Sequence, residues 1–215
     1  MYGIMKSKRF AMMSIGVLIL GMGVALCNMI GLGVDPFAAM NIGISETTSI
    51  SLGVSQMSLN ILMFIVLYKF SKKLIGLGTF FNMIGLGYVI EFFINIYSKF
   101  VVVPDNLFIK LALLFVAVVI IGIGLSLYYT ANLGLAPYDC LPIILSERTK
   151  FEFGTCRVFA DCICVVIALI FGGSIGVSTL IIACGMGPIV QFINKNFSER
   201  LLDKSNIVGK IEYEE

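Results

Sequence analysis

The chain has 215 residues, of which 59% are hydrophobic and only 13% are charged, whereas soluble domains have about 25% charged residues. The formal net charge of +2 and the lack of any long basic run argue against a nucleic-acid partner. The sequence contains no histidine, the commonest general base and metal ligand, which argues against a hydrolytic or zinc-dependent enzyme.

Long apolar runs alternate with polar stretches along the chain. They fall at roughly 10–32, 57–69, 74–97, 108–133, 158–172 and 174–194, and about 20 apolar residues suffice to cross a bilayer as a helix. The first run follows a basic segment and resembles a signal peptide, but no small-residue cleavage site follows it, so we expect an uncleaved span. The sequence therefore predicts an all-α, polytopic membrane protein with about six transmembrane helices and the lipid bilayer as its partner.

Lysine and arginine residues concentrate in every second polar segment. These segments contain Lys6, Lys8, Arg9, Lys69, Lys72, Lys73, Arg148, Lys150, Arg157, Lys195, Arg200, Lys204 and Lys210. The segments between them contain only Lys99 and Lys110. The positive-inside rule then predicts that both termini are cytoplasmic and that residues 198–215 form a charged cytoplasmic tail.

The chain contains two copies of one unit. Residues 21 to 61 align without a gap with residues 122 to 162, at a constant offset of 101 residues. The matched pairs include Gly21 with Gly122, Gly23 with Gly124, Gly33 with Gly134, Pro36 with Pro137, Glu46 with Glu147 and Gly53 with Gly154; after a one-residue deletion, Gly87 matches Gly187. Because each copy has three spans, the second copy is predicted to be inverted, as in many secondary transporters. The predicted units are residues 1–104 and 105–197.

A glycine–proline segment ends the first span of each copy. The two segments are GLGVDPF at residues 31–37 and NLGLAPYD at residues 132–139. Proline suits the first turn of a helix, so we expect a short helix after each span, from Pro36 to Glu46 and from Pro137 to Arg148. Two alternatives stay open for these helices. They are re-entrant half-helices whose N-termini point into the protein, or interfacial helices along the membrane surface.

These two segments, the paired glycines and the paired three-span layout resemble the bacterial YczE/YyaS/YitT family of membrane proteins. The likeness extends to Phe197. YitT-type proteins commonly carry a soluble C-terminal domain, and its absence from these 215 residues favours a YczE-like protein. The resemblance implies a multi-pass protein of the bacterial plasma (inner) membrane and the movement of a solute, but it supplies no substrate because the family is largely uncharacterised.

Polar side chains within the apolar runs are candidates for a substrate-binding site, because ionisable groups inside a bilayer are costly and commonly functional. The repeat pairs Gln56 with Arg157, Asn60 with Asp161 and Glu91 with Gln191. In an inverted repeat such pairs converge near the midplane. We therefore predict a central cavity lined by Asn60, Glu91, Asp161 and Gln191, with Gln56, Arg157, Asp35 and Asp139 at its rims. A structural role for Glu91 and Asp161, as groups that hold helices together, remains the alternative.

Two carboxylates against one arginine suit a cationic or polar neutral solute, or proton coupling through Glu91. The leading hypothesis is a secondary transporter of an unidentified small solute that works by alternating access. The alternatives are a substrate-binding subunit that needs an energising partner, and a non-transporting scaffold or assembly factor; a homo-oligomer is compatible with each. The six cysteines lack CxxC spacing and no nucleophile–base pair stands out, so the sequence predicts no enzyme, no metal and no cofactor.

Overall fold

The computed structural model describes the backbone of residues 2–100 and 103–198, and side chains from residue 8 onward within those ranges. There the chain forms nine α-helices and no β-strand. The helices are α1 (Tyr2–Ile30), α2 (Pro36–Thr48), α3 (Leu52–Phe70), α4 (Leu77–Phe80), α5 (Leu86–Phe100), α6 (Leu107–Thr130), α7 (Pro137–Arg148), α8 (Phe153–Ile170) and α9 (Val177–Ile193). The predicted tail lies outside the described residues except for Ser198.

Six helical stretches in the described ranges are long and apolar enough to cross a membrane. They are Lys8–Ile30, Leu52–Phe70, Leu77–Phe100, Leu107–Thr130, Phe153–Ile170 and Val177–Ser198. The third joins α4 to α5 through a π-helical turn, and the sixth continues α9 through another. The predicted all-α, multi-pass class with about six spans is therefore confirmed.

The first spans of the two units, α1 and α6, form the central pair of the bundle. Glycines allow their backbones to approach closely, as is usual at helix contacts in membranes. A Cβ atom on Gly16 would lie 2.7 Å from the backbone nitrogen of Tyr128, and one on Gly23 would lie 2.9 Å from that of Ile121. A later residue of α1 thus meets an earlier residue of α6, so the two helices run antiparallel.

The turn that follows each first span docks onto the other unit. A Cβ on Gly33 would lie 2.7 Å from the Gly176 Cα, and one on Gly134 would lie 2.6 Å from the Gly76 Cα. Both turn glycines have positive φ angles, +112° for Gly33 and +98° for Gly134, which L-residues with a side chain rarely adopt. The two contacts are reciprocal, because Gly33 matches Gly134 in the repeat and Gly76 is the counterpart of Gly176.

Backbone hydrogen bonds repeat the same exchange between the units. The Ser178 N–H donates to the Leu32 carbonyl at 3.0 Å, and the Gly78 N–H donates to the Leu133 carbonyl at 2.7 Å. Each bond satisfies a donor in the first turn of a spanning helix, where no intrahelical acceptor is available. The inverted arrangement of the units stays a prediction, which the antiparallel pair and this reciprocity favour.

The short helices α2 and α7 have buried beginnings and exposed ends. Pro36 and Pro137 are buried in the first turn of each helix, whereas Glu46 and Arg148 near the other end are exposed. Each short helix also packs on the second span of the opposite unit, α2 on α8 and α7 on α3. A helix lying along the membrane surface would not bury its N-terminus in this way, so the re-entrant alternative fits better.

Candidate functional site

A buried arginine between two buried aspartates forms the centre of the candidate site. The Arg157 side chain lies on α8 and is only 8% exposed, while Asp161 on the same helix is 0% exposed. The Arg157 Nη1 donates to Asp139 Oδ1 at 2.8 Å, and its Nε donates to Asp161 Oδ2 at 3.2 Å. The guanidinium therefore joins α8 to the first turn of α7 and compensates both carboxylates.

Two tyrosine hydroxyls complete the hydrogen bonding of the aspartates. Tyr129, at the end of α6, donates to Asp139 Oδ1 at 2.8 Å and accepts from Arg157 Nη1 at 2.7 Å. Tyr138, next to Asp139 on α7, donates to Asp161 Oδ1. The Arg157 guanidinium also lies 4.9 Å from the centre of the Tyr138 ring, within the range of a cation–π interaction.

Local sequence rules explain how these side chains come together. Arg157 and Asp161 are four residues apart on a helix, and side chains at that spacing lie on one face. Pro137 begins α7, so Asp139 falls in its first turn, where the positive end of the helix dipole favours a carboxylate. Tyr129 lies in the last turn of α6, shortly before α7 begins. The network therefore ties three elements of the second unit together.

The N-terminus of α2 reaches this network from the other unit. The Phe37 ring stacks on the Tyr138 ring with 4.7 Å between centroids and an interplanar angle of 20°. These residues are repeat counterparts, 101 positions apart, so the beginnings of the two short helices meet each other. A residue that contacts its own counterpart lies on the axis that relates two matched units.

Asp35 brings a third carboxylate close to the network. It caps α2 by accepting the Ala38 N–H at 3.0 Å, and it interacts electrostatically with Asp161 and Arg157. If all four groups are ionised, three negative charges face one positive charge. Such an excess in a bilayer calls for a cation, a proton or a polar partner to offset it.

The structure brings together four of the eight predicted site residues: Arg157, Asp161, Asp139 and Asp35. The prediction put Asp139 and Arg157 at the rim of a cavity, whereas they form the centre of the network. The sequence interpretation also missed Tyr129 and Tyr138. Tyr138 lies in the GLAPYD segment, and its match to Phe37 across the repeat could have identified it as a site residue.

The other four predicted residues lie elsewhere. Glu91 and Gln56 are exposed and Asn60 is partly exposed. Gln191 lies at the contact of α8 with α9, where its Nε2 donates to Glu152 Oε2 at 2.6 Å. The predicted convergence of Glu91, Asn60 and Gln191 on Asp161 is therefore not observed. For Glu91 the physical reason is that α5 packs on α1, whereas α8 packs on α2, α7 and α9.

The six apolar spans and the buried ion network define a multi-pass helical membrane protein. The chain belongs to DUF6198, a family of unknown function, whose model matches residues 7–195. It is 29% identical over 185 residues to an uncharacterised protein of Haemophilus influenzae, covering 86% of this chain and 83% of that protein.

Two proteins of Bacillus subtilis are also similar. YyaS, which is uncharacterised, is 29% identical over 194 residues, covering 85% of this chain and 94% of YyaS. YczE, described as an uncharacterised membrane protein, is 26% identical over 179 residues, covering 82% of this chain and 81% of YczE. The predicted YczE/YyaS resemblance is thus confirmed. No solved structure matches the chain.

Proposed function

We propose that this protein is a secondary transporter that moves a small solute across the bacterial inner membrane by alternating access, with both termini in the cytoplasm. The observation that carries the proposal is the buried Arg157–Asp139–Asp161 network at the meeting point of two half-helix N-termini. Ionisable groups at such depth are costly and commonly mark solute or proton pathways. Transporter sites of this kind form at the interface of inverted repeats.

The packing of the two units supports an inverted repeat around that site. The matched helices α1 and α6 run antiparallel, and the contacts of Gly33 with Gly176 and of Gly134 with Gly76 are reciprocal. The stack of Phe37 on its counterpart Tyr138 supports a pseudo-two-fold axis beside the ion network. A site between the two units can open in turn to either side of the membrane as the units move, which alternating access requires.

The charges of the network support a cationic or polar neutral solute, or a coupled proton. Asp139, Asp161 and Asp35 outnumber Arg157, and a cation offsets the excess negative charge. We assign the proton-coupling role to Asp161 rather than to Glu91, because Asp161 is fully buried and contacts Arg157, whereas Glu91 is exposed. In this proposal the protein is a transporter and has no enzymatic activity.

Proton flux in proteoliposomes tests the proposal. The purified chain is reconstituted with a trapped pH-sensitive dye, and amino acids, polyamines and sugars are added outside in turn. We expect at least one solute to drive proton movement, and Asp139→Asn or Asp161→Asn to reduce its rate at least about tenfold, roughly 1.4 kcal/mol. Glu147→Gln, which changes an exposed acid on the helix of Asp139, is the matched control and should leave the rate unchanged.

If no solute in the panel drives flux, or if the Asp variants transport like the control, the transporter proposal is wrong in this form. A scaffold is the second candidate, because Tyr129, Tyr138 and Arg157 already bind the two carboxylates and so pin three helices together. Thermal unfolding across the same panel separates the two functions. A transporter is stabilised by its solute and loses that shift in Asp161→Asn, whereas a scaffold is stabilised by none of them.

A further inference from the structure

The two units differ in how their second and third spans pack. In the second unit α8 and α9 lie against each other along an extensive contact. In the first unit the counterparts α3 and α5 have at most marginal contact among the described residues. The second unit therefore contains a closed helix pair, α8 with α9, and the first unit contains an open pair of matched helices, α3 with α5.

The closed pair is held by two glycines and a glutamine. A Cβ on Gly187 would lie 3.1 Å from the carbonyl carbon of Gly154, so the α8 and α9 backbones meet there. The Gln191 Oε1 accepts the Gly154 N–H at 2.9 Å, and its Nε2 donates to Glu152 Oε2 at 2.6 Å. The amide thus satisfies an orphan donor in the first turn of α8 and binds the residue before that helix.

The open pair has residues suited to the same contact but does not use them. The counterparts are Gly53 on α3, and Gly87 and Glu91 on α5. A Cβ on either glycine would meet nothing within 4 Å among the described residues, and Glu91 is exposed. Glycine is a weaker helix former than alanine. In the observed conformation neither glycine offsets that cost with a close contact.

The hydrogen-bonding groups of the open pair are also complementary, with the roles exchanged. Ser51 occupies the position that matches Glu152, and its hydroxyl makes no capping hydrogen bond in α3. In the second unit the Gln191 side-chain amide donates to the carboxylate of Glu152. In the first unit the hydroxyl of Ser51 is a donor and the carboxylate of Glu91 is the acceptor.

We propose that the protein has a second conformation in which α3 closes on α5, with Gly87 against Gly53. In that state Glu91 accepts the Gly53 N–H and the Ser51 hydroxyl, as Gln191 accepts the Gly154 N–H in the second unit. Closure also explains the exposed Glu91 carboxylate within a spanning helix, since it gives this group two donors. The positive-inside orientation puts Gly53 on the outer side, so the observed open pair faces outward.

The role of this closure in transport rests on the proposed function, whereas the closure itself can be measured without any solute. The repeat favours closure within one chain, because the template contact of α8 with α9 is itself within one chain. The competing explanation for the open face of α5 is that a second copy of the chain packs against it.

Disulfide cross-linking in native membranes tests the proposal. The exposed cysteines are first removed by Cys162→Ser and Cys184→Ser. The pair Ile61→Cys and Ile84→Cys is then oxidised with copper phenanthroline, and linked peptides are quantified by mass spectrometry. Both positions are exposed, and they match Cys162 and Cys184, which interact electrostatically across α8 and α9. The pair leaves both glycines of the proposed contact in place. A disulfide needs Cα atoms about 4.4–6.8 Å apart, so it reports the closed state. The matched control joins Ile61→Cys to Gly85→Cys, which is the next residue along the same span and lies on another face. A Cβ there would meet nothing among the described residues within 4 Å.

We expect at least about tenfold more linked peptide in monomeric protein from the 61/84 pair than from the control pair, a difference of roughly 1.4 kcal/mol. Adding Glu91→Ala should lower the yield several-fold, whereas Glu91→Gln, which has the side chain of Gln191, should retain it. A yield no greater than that of the control, a link found only in dimers, or equal yields from the Ala and Gln variants would each overturn the proposal. These results are independent of transport, so a failure here does not imply failure of the transporter proposal.

Discussion

Replacing Arg157 with leucine should be among the most destabilising single changes in the chain. The change removes the guanidinium that contacts Asp139 at 2.8 Å and Asp161 at 3.2 Å, and it leaves two buried carboxylates without their cation. Removing one partner of a buried ion pair costs about 3–5 kcal/mol. A single hydrogen bond between membrane helices is worth only about 0.6 kcal/mol, so the stranded charge, rather than the lost bonds, decides the magnitude.

The same reasoning predicts that removing the whole network restores stability. With Arg157→Leu, Asp139→Leu and Asp161→Leu combined, no charge of the trio is left buried, and apolar replacement of such networks is often neutral or stabilising. We expect the triple variant to recover at least half of the loss caused by Arg157→Leu alone. The control is Arg148→Leu, which removes an exposed arginine 4.6 Å from the Phe70 ring and should cost less than about 1 kcal/mol.

Unfolding by titration with sodium dodecyl sulfate in mixed micelles, followed by circular dichroism, measures these differences in the free energy of unfolding. The reasoning is refuted if Arg157→Leu lies within about 1 kcal/mol of the wild type, since a stranded buried charge costs more than that. It is also refuted if the triple variant is no more stable than the single one, because uncompensated charge would then not be the cause.

Three further predictions concern the turns, the stacked rings and the orientation. Gly134→Ala should cost at least about 2 kcal/mol, because φ is +98° and the new Cβ meets Gly76. Gly31→Ala, at φ +70° and with no described residue within 4 Å of its Cβ, should cost about 1–2 kcal/mol. Equal losses would contradict the docking contact. Tyr138→Phe should lower the free energy of unfolding by about 1 kcal/mol, because the hydrogen bond to Asp161 is lost. Tyr138→Ala should lower it by clearly more, because the stack on Phe37 is lost as well. Similar losses from the two variants would refute the contribution of the stack. A C-terminal green fluorescent protein fusion should fluoresce and an alkaline phosphatase fusion should be inactive, since both termini are predicted to be cytoplasmic; the reverse result would invert the topology.

The class of the protein was readable from the sequence, because hydrophobic length is a local property. Runs such as 10–32 and 108–133 already exceed what a bilayer requires, and α1 and α6 appear there. Pro36 and Pro137 likewise predicted the starts of α2 and α7, since proline lacks only an N–H that is unpaired in the first turn. The Arg157–Asp161 pair follows from helical spacing alone.

What the sequence could not decide is which helices of different units meet. Glu91 matches Gln191 in the repeat, and matched residues were expected to converge, but α5 packs on α1 and leaves Glu91 exposed. Asp139 was predicted at a rim of the cavity, whereas the way in which α7 enters the bundle brings it to Arg157. The repeat thus determined which residues correspond. Only tertiary packing determined that Tyr129, Tyr138, Asp139 and Asp161 surround Arg157, because the contacts of α6, α7 and α8 bring together residues that are far apart in the sequence.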